Sequence, residues 1–212
     1  GEGHDFTLDG SYQPDNGDQQ LAFRLDAQRI DLAQLEPLAL GNLQKMEGSL
    51  SGQIDINGTT AQPDIDGSIQ FQSAAFMVSQ LQVLWQLGDQ PITFRKVQRD
   101  GRQLPAVQFN QLTLTDPNGD RFTLDGDITT TDFQRFNLDL ETNANSFLVM
   151  NTGEADNDLY YGHVEVDLDG LLRGPLDSAS VVMNVNTAKT SQVVYNYPTD
   201  AIGSVESGEG II

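Results

Sequence analysis

Two acidic segments contain the residue types that could bind a metal ion. The segment Asp116–Asp120 imitates the start of a calcium loop, in which oxygen ligands alternate along the chain. An EF-hand has its glycine at the sixth loop position, which is Arg121 here, whereas Gly119 stands where an Asn-Gly turn requires it. A second acidic cluster lies at 154–158. We predict a tight turn at the first segment, a solvated loop at the second, and no metal site.

Residues suited to acid–base or nucleophilic catalysis are few and form no recognisable group. The chain has no cysteine and two histidines, His4 and His163, neither with the second histidine four residues away that a zinc-binding helix needs. A Gly-x-Ser-x-Gly turn, which exposes a nucleophilic serine, does not occur. Among 31 acidic residues a glycosidase-type pair remains an alternative, but no pair stands out. We predict a protein that is not an enzyme, with no catalytic residue and no cofactor.

The charge of the chain limits the classes of partner. The 212 residues have a formal net charge of −20 and only 11 Lys and Arg. Binding to nucleic acid needs basic side chains that neutralise phosphates, and adsorption to an anionic membrane needs them as well. We therefore exclude nucleic acid as a partner. No apolar run approaches the roughly 20 residues that span a bilayer.

Apolar residues alternate with polar residues along the whole chain. Residues i and i+2 lie on one side of a β-strand, so each alternating run predicts a strand with one apolar face and one wet face. Counting weaker runs gives about fourteen strands. Turn sequences separate the runs at 15–18, Asn57-Gly58, 116–119 and Gly174-Pro175. The sequence thus predicts an all-β protein, mainly antiparallel.

A Leu/Ile-Asp-Gly triplet recurs inside four of the alternating runs. The glycines of the four triplets are Gly10, Gly67, Gly126 and Gly170. A glycine on the apolar face removes a side chain where a sheet bends sharply or another backbone comes close. These positions predict an open, strongly curved sheet, and the alternative is that the glycines mark β-bulges.

One segment departs from the alternation. Leu32, Leu35 and Leu38 follow one another at helical spacing behind Asp31, which can cap a helix, and Pro37 limits its length. We predict one short helix near 31–39, placed at one end or edge of the sheet. The chain ends within an apolar run and shows no linker, so we expect 1–212 to be a single segment excised from a longer protein.

The most specific pattern lies in the central part of the chain. Its motifs are Asp-Leu-x-x-Leu-Glu-Pro-Leu at 31–38, Gly-x-Leu-x-Gly at 48–52, Ile-x-Gly-Thr at 56–59 and Pro-x-Ile-x-Gly at 63–67. This order resembles the repeat unit of TamB and its AsmA-like relatives. The continuation through Leu112–Asp120 and Leu124–Gly126 is similar to the Bacteroidetes form, and the resemblance covers residues 30–185.

The resemblance implies a β-taco, which is an open half-pipe with an apolar interior, as an internal segment of a periplasmic protein anchored in the inner membrane. It implies phospholipid acyl chains as ligands, in a bridge between the inner and outer membranes that serves outer-membrane biogenesis. It also implies an outer-membrane barrel protein of the assembly machinery as a partner, bound through regions outside this chain. The residues expected to line the lipid groove are Ile54, Ile56, Ile65, Ile69, Phe71, Phe122, Leu124, Ile128, Leu138, Leu140, Val164, Val166 and Leu168.

Three alternatives compete with a lipid groove. The same residues could fill an ordinary sandwich core. The groove edges could hold unfolded strands of outer-membrane β-barrel proteins by strand addition, a translocation and assembly role also implied by the resemblance. The chain could also be a β-sandwich or β-helix adhesin or carbohydrate-binding module. The irregular spacing of the Asp-Gly triplets argues against a β-helix.

Overall fold

The computed structural model describes residues 5–14, 19–59, 62–99 and 101–196. These residues form a single 12-stranded sheet in which all paired strands are antiparallel. The strands are β1 (Asp5–Pro14), β2 (Gln19–Asp31), β3 (Leu43–Thr59), β4 (Pro63–Val78), β5 (Leu84–Leu87), β6 (Ile92–Arg99), β7 (Arg102–Thr115), β8 (Arg121–Thr130), β9 (Phe136–Thr152), β10 (Tyr160–Pro175), β11 (Ser180–Thr187) and β12 (Gln192–Tyr195).

The strands follow one another in chain order across the sheet. β5 and β6 both lie between β4 and β7, and β11 and β12 both pair with β10, so the strands occupy ten lateral positions. The sheet is not closed into a barrel. The predicted all-β, open antiparallel fold is confirmed, and neither a two-sheet sandwich nor a β-helix is formed by the described residues. The prediction of about fourteen strands was too high, because neighbouring runs merge into strands as long as the 17 residues of β3 and β9.

The pairing register places the alternating apolar runs on one face. Residues paired directly across antiparallel strands have side chains on the same side of the sheet. One row of such pairs, which we call the central row, crosses all ten lateral positions without a polar residue. Its members are Phe6, Ala27, Gly52, Ile69, Ile92, Phe109, Gly126, Leu140, Leu172 and Val181. We call the face that contains this row the trough face.

Glycines on the trough face allow neighbouring strands to approach closely. A Cβ atom on Gly126 would lie 2.1 Å from the carbonyl oxygen of Asp139, and its φ of +116° favours glycine. The glycines of all four Asp-Gly triplets are in regular register, so they do not mark bulges. The interpretation of these glycines as sites where another backbone comes close is confirmed at Gly10, Gly67 and Gly126, whereas the nearest atom at Gly170 is the side-chain hydroxyl of Thr142.

Bulges contribute to the curvature at other positions. Gln111 and Ser146 have positive φ values of 52° each, and each lies where the register shifts by an extra residue. The carboxylate of Asp125 accepts the backbone N–H of Gln111 at 2.9 Å, and that of Asp167 accepts the N–H of Ser146 at 2.8 Å. Neighbouring strands thus supply a hydrogen-bond acceptor for each bulged residue.

Two local predictions were wrong in detail. The segment near 31–39 forms two short 3₁₀ turns, Leu32–Gln34 and Glu36–Ala39, instead of one helix. Asp31 caps the first turn as predicted, by accepting the N–H of Ala33 at 3.0 Å, but Leu38 is exposed and does not extend an apolar helix face. The Asn57-Gly58 pair continues β3, and the turn follows Thr59 instead. The predicted turn at 15–18 lies outside the described residues.

One end of the trough face is closed by a packed core. Trp85 of β5 stacks on Phe147 of β9 with ring centroids 5.7 Å apart, and its indole N–H donates to the carbonyl of Leu148 at 3.0 Å. Because β7 and β8 separate β5 from β9 in the sheet, this contact requires the sheet to curve toward the trough face. The trough face is therefore concave, and we call this cluster the closed end.

Candidate functional site

Most of the predicted groove residues lie on the trough face of the sheet. Ile56 pairs with Ile65, Ile128 pairs with Leu138, and Ile69 and Leu140 belong to the central row. Of the thirteen residues predicted to line a groove, twelve are partly buried and Val166 is buried. Partial burial leaves apolar area on these side chains that a ligand could cover. Their role as groove lining remains a prediction.

The structure separates the predicted residues into two patches on either side of β6 and β7. The first patch is on β3 and β4, from Ile54 to Phe71, and the second is on β8, β9 and β10. The sequence prediction did not include the residues that join them. These are Ile92, Phe94, Val107 and Phe109, which pair with each other and with both patches. Their alternation was the signal that could have identified them, since all four obey the period of two.

Four of the predicted groove residues lie toward the closed end. Phe122 and Leu168 pack against the core cluster of Trp85 and Phe147. Val166 pairs with Phe147, and Val164 pairs with the buried Met150. This end of the face therefore resembles a conventional core. The central row and the neighbouring row that contains Ile54 are not covered by other described residues.

In the described residues, the central row and the neighbouring row of Ile54, Gly67, Phe94, Val107, Ile128 and Leu138 contain no charged residue, and Lys96, which pairs with Pro105 further along β6, is a charged residue on the same face. Thr142, opposite Leu124 and Gly170, is a polar residue on this face, and its buried hydroxyl has no hydrogen-bond partner among the described residues. The face is therefore suited to an apolar ligand without fixed hydrogen-bonding geometry.

Ion pairs occupy the opposite, convex face. Asp55 accepts a hydrogen bond from the guanidinium of Arg24 at 2.6 Å, and this bond lowers the pKa of the Asp55 carboxyl. Arg99 lies 2.7 Å from Asp127 and 3.2 Å from Asp139. The two faces of one sheet therefore differ sharply in polarity.

The acidic segments have structural roles. Asp116 is 4% exposed, and its carboxylate accepts backbone N–H groups of Asn118, Asp120 and Leu148 at 2.8, 2.9 and 2.7 Å. The predicted turn is confirmed, and the N–H of Gly119 closes it onto the carbonyl of Asp116 at 3.0 Å. No group of three or more His, Cys, Asp or Glu in the described part of the chain could hold a metal ion.

The second acidic segment and the histidine likewise make local contacts. In the loop after β9, Asp156 accepts the N–H of Gly153 at 2.8 Å. His163 lies 3.2 Å from Glu165, two residues further along the same face of β10. This contact was not predicted from the sequence, where a partner at helical spacing was expected, but residues two apart on a strand lie on the same face.

Together, the mainly apolar concave face and the polar convex face define a class of protein, an open β-groove with an apolar interior. The comparison with family models points to a family. Residues 110–210 match the model of the TamB C-terminal domain, and this match supports membership of the TamB family. This is a cell-envelope family of the transport type, and the match indicates a role in lipid or protein transport in the envelope.

The other comparisons add no relative. Neither the comparison with curated proteins nor that with solved structures found a match. Within the described residues, no helix has the length and hydrophobicity to cross a membrane.

Proposed function

We propose that the trough face conducts phospholipid acyl chains along a periplasmic bridge between the inner and outer membranes, and that the protein performs no enzymatic reaction. The central row carries this proposal, because it presents an apolar, uncharged path from β1 to β11. Ten lateral positions at about 4.8 Å per step give a path of about 43 Å along the sheet. Such a path is longer than one acyl chain.

The energetics of the face suit transport rather than tight binding. Removing acyl methylenes from water contributes about 0.8 kcal/mol each, and a central row without hydrogen-bonding side chains imposes no fixed position along the path. A chain can therefore be held out of water while it slides. In this proposal the parent protein is anchored in the inner membrane, and regions outside this chain contact an outer-membrane barrel protein.

The test places a carboxylate on the central row. Ile69 pairs with Gly52 on one side and Ile92 on the other, so Ile69→Asp introduces a charge in the middle of the path. An ionised carboxylate without a partner stays hydrated and brings water onto the face. We expect lipid capture, measured by photo-crosslinking with a diazirine phospholipid, to fall at least severalfold. Neighbouring Gln70 points to the opposite face and is exposed, so Gln70→Asp is the matched control and should bind normally.

The outcomes of this experiment separate the competing functions. Both variants are first checked for native circular dichroism, since an unfolded Ile69→Asp would indicate that Ile69 belongs to a closed core. Normal lipid capture by a folded Ile69→Asp would refute the lipid path at this position.

A second candidate function is the holding of unfolded β-strands of outer-membrane proteins. One observation favours it: every residue of β11 is exposed, and among the described residues this edge strand pairs with β10 on one side only. The sequence of β11 has no charge and no proline, which are the usual means of blocking edge pairing. The Ala188 N–H bond to the Glu165 carbonyl sets the alternation of the β10–β11 ladder, so the N–H groups of even-numbered β11 residues face β10 and that of Val185 faces the free edge. Val185→Pro removes this edge N–H, and it should abolish crosslinking to a β-strand peptide while leaving lipid capture unchanged.

A further inference from the structure

The basic residues of this acidic protein are concentrated at one rim of the trough. We use the name hairpin rim for the strand ends around 95–102, 130–136 and 173–178. Of the 11 Lys and Arg residues in the chain, this rim contains six, namely Arg95, Lys96, Arg99, Arg102, Arg135 and Arg173. The net charge of −20 repels anions from most of the surface. The hairpin rim is therefore the part of the protein that an anion can approach most easily.

Most of these basic side chains already have a partner. Lys96 pairs with Asp64 at 2.7 Å, Arg135 with Asp132 at 2.6 Å, and Arg173 with Asp139 at 3.1 Å. Arg99 pairs with Asp127 and Asp139, and Arg95 donates to the side chain of Gln108. Only the guanidinium of Arg102 lacks a hydrogen bond or ion pair with the described residues.

Arg102 also stands in an unfavourable electrostatic position. It is paired directly with Arg99 across the β6–β7 hairpin, and like charges in opposed positions destabilise a strand pair. By register Arg102 starts on the convex side with Arg99, but it stands at the last pair before the hairpin turn. Its exposed side chain lines depressions that also contain the trough-face residues Phe136 and Gln103. A bound anion would supply the charge that the described residues do not.

Two depressions meet at Arg102. The larger has a volume of about 800 Å³ and is lined by Arg102, Arg135 and the neutral side chains of Thr131, Asn137 and Ser178. Its acidic lining residue, Asp177, accepts a hydrogen bond from Ser178 at 3.2 Å. The second depression lies between Arg102 and the Lys96–Asp64 pair. Guanidinium, hydroxyl and amide groups together form the donor set that binds phosphate oxygens.

The larger depression borders the trough face. Phe136 lines it and is paired with Thr130. This pair lies two residues further along the strands than the trough-face pair of Ile128 and Leu138. Two residues along a strand span about 7 Å. A phosphate group near Arg102 would therefore lie close to where acyl chains attached to the same molecule enter the trough.

We propose that the depression around Arg102 and Arg135 binds the phosphate group of a phospholipid whose acyl chains lie on the trough face. This inference rests on the proposed lipid path and adds a headgroup site to it. The shared chemistry is a phosphate ester, which could also be presented by a soluble molecule. The rim would hold a lipid at its charged end while the apolar face covers its chains.

The experiment compares three probes with the full chain. They are phosphatidylglycerol, diacylglycerol with the same acyl chains, and glycerol 3-phosphate, each measured by native mass spectrometry and by competition with a fluorescent lipid. We expect tighter binding of phosphatidylglycerol than of diacylglycerol. Arg102→Glu should weaken phosphatidylglycerol binding about three- to tenfold, as expected for one charge-assisted contact at an exposed site, and should leave diacylglycerol binding unchanged. Arg102→Gln should show the same effect more weakly.

The control variant has the same change of net charge as Arg102→Glu. Arg121 is exposed at the opposite end of β8, so Arg121→Glu alters the charge equally without touching the hairpin rim, and it should affect neither lipid. Equal binding of both lipids, or equal loss of both in Arg102→Glu, would overturn the phosphate site while the trough stands. Arg102-dependent binding of glycerol 3-phosphate alone would assign the site to a soluble phosphate ester and contradict the lipid path. If no probe binds, both proposals fail.

Discussion

The closed end and the central row are built on the same face of one sheet, yet they are packed differently. At the closed end Val83, Trp85 and Phe147 are 2%, 8% and 3% exposed, and aromatic rings from non-neighbouring strands contact each other. Along the central row Ile69 and Leu140 are only partly buried, with apolar neighbours on both sides but no described layer above them. The closed end has the packing of a folded core, and the central row has that of an exposed apolar surface of the kind that binds a ligand.

A curved sheet can in this way combine stability with an open apolar face. Side chains that reach across the concave side at one end fix the curvature, so the remaining rows need not be covered to keep the sheet folded. Backbone pairing then holds those rows in place, since every central-row residue lies in a ladder. Stability and ligand contact are thus assigned to different ends of the same strands.

The largest expected effect is at the closed end. Trp85→Ala removes the stacking on Phe147, the indole hydrogen bond to Leu148 and a buried volume, and it should lower the free energy of unfolding by about 3–5 kcal/mol. Ile54→Ala on the open face should cost only about 1 kcal/mol, because Ile54 is partly exposed before the change. Urea denaturation followed by circular dichroism measures both. Equal losses would show that the two regions are one continuous core.

The local alternation explains why much of the fold was predictable. Period-two runs such as Ile54 and Ile56 determine which side chains share a face, and the antiparallel meander follows from short turns between successive strands. The Asp-Gly triplets indicated curvature for a physical reason that the structure confirms at Gly126, where a neighbouring carbonyl leaves no space for a side chain. Prediction succeeded where the cause lies within a few residues.

The closed end was not predictable in this way. Trp85 contacts Leu148 across 63 positions of sequence, and nothing near Trp85 indicates this partner. The bulged residues Gln111 and Ser146 are ordinary polar residues, so their positive φ has no compositional signal. The phosphate site proposed at Arg102 depends on the loops of three hairpins coming together, which is also a tertiary property.

A smaller effect should come from the turn that borders the closed end. Asp116→Ala leaves three backbone N–H groups without their acceptor, one of them on Leu148 of the core strand, and should cost about 2–3 kcal/mol. Asp120→Ala is the control in the same turn, because the Asp120 carboxylate makes no hydrogen bond with the described residues. Urea midpoints and the near-ultraviolet signal of Trp85 measure the effect on stability and on the closed end. A loss no larger than that of Asp120→Ala would mean that Asp116 does not connect the turn to the core.

The smallest effect concerns Asp132, which holds the loop at the hairpin rim as Asp116 holds the turn at the closed end, but in an exposed setting. Asp132 accepts the backbone N–H groups of Arg135 and Gln134 and pairs with the Arg135 side chain, and these bonds, the Arg135 N–H first, lower its pKa below the ordinary 3.8. A carboxyl whose folded pKa is lowered stabilises the fold fully above its unfolded pKa, and this contribution is lost as the pH falls through the folded value. Asp132→Asn should therefore be slightly less stable than the unchanged protein at pH 7, with a difference that shrinks below about pH 4.

Urea midpoints between pH 7 and 3 measure the difference in stability. The control is Asp9→Asn, which makes the same change of charge at an exposed carboxylate without a described hydrogen-bond partner. A difference that grows on acidification would contradict the sign, and a loss as large as that of Asp116→Ala would show that the rim is as essential to the fold as the closed end.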